Sequence, residues 1–276
     1  MQEPYLSQFV ALLGQGAGAR DIHDSAHLGS YDSEQPAAVA PRFVEREIHR
    51  VELHRRGLCA LLEPHVGQVG SILDVGCGTG GTAVALATSG LEPARVVGVD
   101  INETTLRAAR VRAQAHGLGE DRIQFRPVVP GALLPFADAT FDLVTCVSVL
   151  EFISAGASRQ RFIGELLRLV RPGGHVFVAT PSPFRLREYH SRRWAGDIRR
   201  TPGYPWSSPP WSPALRTLRD GNAEAPLARQ RFERHPLLRR VAWAAPVARY
   251  LLPWQQYLVR RPAQYGPASG INPRPA

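Results

Sequence analysis

Ile72-Leu73-Asp74-Val75-Gly76-Cys77-Gly78-Thr79-Gly80-Gly81 is the stretch on which the fold of this chain turns. An apolar run enters a loop in which every second residue is glycine, and a helical pattern follows. Glycine lacks a Cβ, so such a loop can turn tightly and let a ligand lie against backbone. The free N–H groups at the following helix start would face that ligand. A strand, a Gly-rich turn and a helix in this order mark the carboxyl edge of the first strand of a doubly wound sheet, where nucleotides bind.

The pattern continues on the C-terminal side. Ser71–Val75 reads as a strand and Ala83–Thr88 as a helix, followed by strand Arg95–Val99 and helix Thr104–His116. Arg122–Val129 and Phe141–Val147 read as the third and fourth strands, with a helix near Arg159–Val170 and a fifth strand at Gly174–Thr180. Strand and helix in alternation predict right-handed crossovers and a parallel sheet covered on both faces.

Upstream, Tyr5–Leu13 is a short amphipathic segment that Gly14–Gly18 should break, and residues 19–41 show no clear period. Between Arg42 and Glu63, residues Val44, Ile48, Val51, Leu58 and Leu62 share one helical face, with Pro41 before the helix and Pro64 ending it. Downstream of residue 182, Pro, Trp and Arg dominate. Tyr204–Pro213 is a turn-rich aromatic loop, and Pro246 and Pro253 precede short apolar runs as proline does at helix starts. The last strand pair of folds of this type is not recognisable. Three regions are therefore expected: a helical cover over 1–70, a core over 71–182 and a basic lid over 183–276.

Composition narrows the function. The hydrophobic content of 44% fits a globular chain, and no apolar run approaches the roughly 18 residues of a membrane span. Glu3, with no early Arg before Phe9–Leu13, is opposite in character to a secretory signal, so a cytoplasmic protein is expected. Cys59, Cys77 and Cys146 lie far apart and form no CxxC pair, which speaks against a disulfide framework and a cysteine zinc site. His23 and His27, with Asp21 and Asp24, lack the further pattern of a metal site, and no metal is expected.

The net charge of +9 is uneven. Residues 1–182 hold 16 Arg and 19 acids, whereas residues 183–276 hold 17 Arg and 5 acids, and the chain has no Lys. A near-neutral front and a strongly basic back invite an anionic partner.

Gly76, Gly78 and Gly81 also satisfy the dinucleotide fingerprint G-x-G-x-x-G, so the glycines alone leave a nicotinamide-dependent oxidoreductase open. Asp100, 24 residues after Gly76, could accept hydrogen bonds from ribose hydroxyls in either case. Two further segments separate the cofactors: Leu134-Pro135-Phe136-Ala137-Asp138-Ala139-Thr140-Phe141-Asp142-Leu143-Val144 and Leu166-Leu167-Arg168-Leu169-Val170-Arg171-Pro172-Gly173-Gly174. With the glycine loop and Gly98-Val99-Asp100-Ile101-Asn102, they resemble the class I S-adenosylmethionine methyltransferases, in the branch that contains ubiquinone and menaquinone biosynthesis enzymes.

The resemblance implies an α/β, Rossmann-like, doubly wound, mostly parallel sheet with a helical N-terminal cover and an Arg/Pro/Trp-rich helical C-terminal extension. It implies S-adenosyl-L-methionine as cofactor. Asp74 would orient the methionine end, while Gly76, Cys77 and Gly78, with Gly80 in the same loop, would meet it through backbone. Asp100 would hold the ribose, Ile101 would pack on adenine, and Cys146 would offer backbone to the methionine amino group. Relatives often carry an Asp after the third strand for the adenine amino group. Here Val128, Val129 and Pro130 stand there, so adenine would be read by backbone. Tyr31 would fold over the cofactor as part of a lid, against the alternative of a structural tyrosine.

Methyl transfer asks for alignment and exclusion of water more than for acid–base work. An oxygen or nitrogen nucleophile can need a base. The candidates are Glu151, whose alternative is a helix-start carboxylate, and His190, whose alternative is an ordinary surface histidine.

The back half admits several readings. Arg185, Arg187, Arg192 and Arg193 could line an anionic acceptor pocket, with Trp206 and Trp211 against an apolar body. Residues 237–261 could lie on a membrane, with Leu237, Val241, Ala244, Ala248 and Leu251 on one face and Arg239, Arg240 and Arg249 towards lipid. Interleaved Arg, Trp and Tyr could bind RNA, or the arginines could simply be solvated. A small-molecule or lipid-like acceptor in the biosynthesis of a specialised metabolite is the favoured expectation. An RNA-binding or RNA-modifying role is less favoured. The missing strand pair would leave an edge that a homo-oligomer could cover.

Overall fold

The computed structural model describes residues 4–18, 41–184, 209, 212–220, 230, 233, 239–244 and 254–262. Five parallel strands form the sheet expected from the alternating pattern: β1 Ser71–Val75, β2 Arg95–Asp100, β3 Ile123–Pro127, β4 Phe141–Val147 and β5 Val170–Pro181. The spatial order is β3-β2-β1-β4-β5, so the chain reverses its direction of travel across the sheet beside β1. Ile72 stands opposite both Val96 of β2 and Leu143 of β4, which makes β1 the central strand. In an open α/β sheet such a reversal leaves a crevice at the carboxyl ends of the strands.

Helix α1 spans Tyr5–Gly18, α2 Pro41–His54, α3 Ala60–Val66, α4 Gly81–Ala87, α5 Glu103–Ala115, α6 Ala157–Leu169 and α7 Arg216–Asp220. Successive β1 residues point to opposite faces, and both faces are covered. Ile72 packs with Leu62, Leu86 and Leu143 on one side, and Leu73 with Val144, Leu166 and Leu169 on the other. Asn102 starts α5 by accepting the N–H groups of Thr104 and Thr105.

Three local expectations are corrected. Gly14–Gly18 does not break α1, which runs to Gly18 and packs Phe9 and Leu13 against Ala108 and Val111 of α5. Tertiary packing outweighs the weak helix propensity of glycine there. The long second helix is not uniform: a π-helical turn, Arg55–Cys59, separates α2 from α3, and Pro64 lies inside α3. Gly67, at φ +70°, ends it instead.

The third correction concerns the C-terminal region. Trp254–Arg260, expected to begin a helix after Pro253, is strand β6, antiparallel to β5, with Val176 opposite Val259 and Thr180 opposite Gln255. Tyr257, Leu258 and Val259 are buried in the sheet. The residues 237–261 therefore do not form one membrane-lying helix: Arg239–Ala244 is a short 3-10 segment whose Val241 has non-helical angles, and the end of the range is sheet. The rest of that face, including Leu237, Ala248 and Leu251, lies outside the described residues.

Arg261 caps the carboxyl end of α6. Its Nη1 donates to the carbonyls of Leu167, Arg168 and Val170. The edge of β5, from which an oligomer was inferred, is covered by β6. No helix among the described residues is long and apolar enough to cross a membrane.

Candidate functional site

The glycine loop sits in the crevice where the sheet reverses. Gly76 and Cys77 both donate backbone N–H to the Val99 carbonyl, at 2.8 and 3.0 Å, which folds the loop over the end of β2. Gly76 and Gly78 have φ of +71° and +51°, the left-handed region that favours glycine. A Cβ on Gly76 would stand 2.1 Å from Val149 Cγ2, whereas one on Gly78 would meet nothing within 4 Å among the described residues. The loop is thus packed on one flank and open at Gly78. Gly80, at φ +77°, fits against Ala109 of α5.

Gly76→Ala is expected to cost about 2 kcal/mol of stability, from strain at positive φ and displacement of Val149. Urea denaturation would measure it. Wild-type stability in this variant would show that the loop relaxes freely.

Two buried carboxylates flank the loop. Asp100 Oδ2 accepts the Gly78 N–H at 2.8 Å, and its Oδ1 accepts the Asn102 N–H at 2.9 Å. The residue assigned to ribose therefore also fastens the loop to β2. Asp74 is 1% exposed; Thr145 Oγ1 donates to its Oδ1 at 2.7 Å, and its Oδ2 has no hydrogen-bond partner among the described residues. Burial pushes the Asp74 carboxyl up to about 7, and the Asp100 charge adds to this against the hydrogen bonds from Thr145 and the start of α4. Cys77 and Cys146 are buried thiols held well above their usual range, first by burial and then by neighbouring carboxylates. Neither is a reactive thiolate.

Other assigned residues fall around the same edge. Ile101 is 47% exposed and Val129 is 70% exposed, so both offer apolar surface beyond β2 and β3. The Val128 N–H bonds to the Asp100 carbonyl at 3.0 Å, which brings these two strand ends side by side. Glu151 lies buried on the 3-10 turn Leu150–Phe152, and Thr180 at the end of β5 donates to its Oε2 at 3.0 Å. Ser148, between Cys146 and Glu151, has φ +60°, a strained value for a residue with a side chain. Tyr31, His190, Arg185, Arg187, Arg192, Arg193, Trp206 and Trp211 lie outside the described residues, as do His23 and His27.

The sequence reading missed a polar cluster behind the loop. Glu47 of α2 and Arg112 of α5 are 2% and 0% exposed and form an ion pair at 3.1 Å. Thr79 of the loop donates to Glu47 Oε2 and receives a bond from Arg112 Nη2 at 3.2 Å. Arg50 also pairs with Glu47, and Arg112 lies over the Phe9 ring. One buried pair thus ties three helices to the glycine loop. No local signal distinguishes these charges from solvated ones.

Residues 73–178 match the family model described as methyltransferase domain. The ubiquinone biosynthesis O-methyltransferase of Paracidovorax citrulli (strain AAC00-1) is 38% identical over 135 residues, 49% of this chain and 52% of that protein. The protein of the same name from Stutzerimonas stutzeri (strain A1501) is 34% identical over 160 residues, 57% of this chain and 63% of that protein. The chain thus spans about half to just under two thirds of the curated relatives it matches. The solved structure of a geranyl diphosphate methyltransferase in complex with SAM aligns at a TM-score of 0.50 and 20% identity, over 85% of this chain and 94% of that one. This last likeness is one of fold.

Proposed function

We propose that this chain, whose residues 73–178 match the methyltransferase-domain family model, transfers a methyl group from S-adenosylmethionine to an oxygen of a small-molecule or lipid-like acceptor in the cytoplasm. The observation that carries the reading is the crevice itself. Among the described residues, a glycine loop open at Gly78 lies beside Asp100 and beside a buried Asp74 oxygen that lacks a partner. These residues fit a ligand with a ribose and a cationic amino group. The family match favours the sulfonium cofactor over nicotinamide, and the names of the relatives favour oxygen as the receiving atom.

In this reading Asp74 faces the amino group of the cofactor's methionine end, with Cys146 offering backbone. Asp100 holds the ribose while still fastening Gly78, and Ile101 and Val129 cover adenine. S-adenosylmethionine supplies an activated methyl group on a sulfonium. The chain's own work is orientation and exclusion of water. Glu151, nearly sealed from solvent and bonded by Thr180, is suited to hold a cationic group rather than to carry protons outward.

Calorimetric titration with S-adenosylmethionine, S-adenosylhomocysteine and NAD tests this directly. Binding of the first two and not of NAD is expected. Binding of NAD alone, or of none of the three, would overturn the proposal.

The raised Asp74 carboxyl adds a second check. Its folded pKa of about 7 exceeds the ordinary 3.8, so the folded protein binds the extra proton between those values. The unligated protein should therefore lose stability as pH rises from about 4 through 7. A cationic amino group beside Asp74 restores the carboxylate. Cofactor binding at pH 6.5 should then release a proton, read as a dependence of the binding heat on buffer ionisation enthalpy. The release should vanish in Asp74→Asn; equal release in that variant would assign the proton to another group.

A further inference from the structure

A second cavity adjoins the crevice and is used by none of the roles above. It has a volume of about 210 Å³ and lies between α2 and the ends of β4, β5 and β6. Arg46, Arg50 and Leu53 form one wall, and Ser148, Ala179 and Trp254 the other. Two of its lining residues stand beside elements of the crevice. Arg50 lies so close over Gly81, the first residue of α4, that a Cβ there would meet Arg50 Cδ at 2.3 Å. Ser148, with its left-handed backbone, stands two residues beyond Cys146.

The lining is apolar with one sign of charge. Leu53 is 56% exposed and Trp254 half-buried, and no acid lines the cavity among the described residues. Arg46 and Arg50 are four apart on one helix, so their side chains rise from the same face. Behind them Arg112 is fully buried, and Glu47 serves both Arg50 and Arg112. His54, in the same wall, is held neutral: burial lowers it to about 3, and the Arg50 charge pushes the same way. The volume corresponds to roughly seven waters, enough for a compact ring-sized group rather than a long chain.

We propose that this cavity is the acceptor site and that it takes a compact apolar or aromatic group carrying one anionic substituent, a carboxylate or phosphate, seated on Arg46 and Arg50. The proposal rests on the methyl-transfer reading. It concerns which acceptor is chosen, whereas that reading concerns the cofactor.

The test uses the full chain saturated with S-adenosylhomocysteine and three probes of similar shape: 3-phenylpropanoate, phenyl phosphate and 3-phenylpropanol. The better anion should bind about tenfold tighter than the alcohol, as charge-assisted pairing to Arg requires. Whichever anion binds tighter identifies the substituent. Added salt should erode the preference. Arg46→Gln alters an exposed side chain, so folding is retained, and it should cut the preference severalfold while cofactor affinity stays within about twofold. Leu53→Trp, which fills the mouth, should weaken all three probes. Equal binding of anions and alcohol beside bound S-adenosylhomocysteine, or an anion preference unchanged in Arg46→Gln, would overturn the pocket and leave the methyltransferase reading standing. Failure to bind S-adenosylhomocysteine would instead remove that reading, and the acceptor assignment with it.

Discussion

Asp100→Ala is expected to weaken S-adenosylmethionine binding by at least about 100-fold. Both oxygens of this carboxylate accept backbone N–H groups, from Gly78 of the loop and from Asn102 at the start of α5. A hydrogen bond to a charged group contributes about 1.5–3 kcal/mol, so losing the ribose contact and the tether on Gly78 together reaches the stated factor. Asp100→Asn retains one acceptor oxygen and should lose less. Titration calorimetry measures both variants, and the thermal shift given by S-adenosylhomocysteine should shrink in the same order. Unchanged affinity in Asp100→Ala would remove the ribose assignment and with it the main support for the cofactor.

The second large effect is on stability. Arg112→Met should destabilise the protein by about 3 kcal/mol, at the low end for breaking a buried ion pair because Arg50 still serves Glu47. The melting temperature should fall by roughly 6–12 °C. Methionine keeps the apolar packing against Phe9, so the loss isolates the charge. Adding Glu47→Gln to that variant should recover a large part of it, because the buried carboxylate left with Arg50 alone is gone. Cofactor affinity should also drop in Arg112→Met, since Thr79 loses one of its two partners. No change in stability would mean that the pair is replaced by water or by Arg50 alone.

The parallel sheet was legible because each of its five strands announces itself locally. Ile72-Leu73 and Val96-Val97 are buried on both faces, so they read as continuous apolar runs between helical patterns. The crevice was legible for the same reason: Gly76, Gly78 and Asp100 lie at strand ends, and the left-handed angles found in the loop favour glycine. Strand β6 was not. Trp254-Gln255-Gln256-Tyr257 looks like a helix start after Pro253, and its partner β5 ends at Pro181. Nothing near it in the chain says where it docks.

The amino-acid sequence by itself determined the alternation of strands and helices in the core, the glycine loop and the two carboxylates beside it, because these follow from side-chain periodicity and from the placing of glycines, both local properties, whereas the spatial order of the strands came from the structure. Only the tertiary structure decided that Glu47, Thr79 and Arg112 meet, that β6 closes the edge of β5, and that Arg46, Arg50 and Trp254 wall one cavity. Charged residues are usually solvated, so burial of a pair or convergence of two arginines depends on which helices pack together. That packing is set by contacts between residues far apart in the chain.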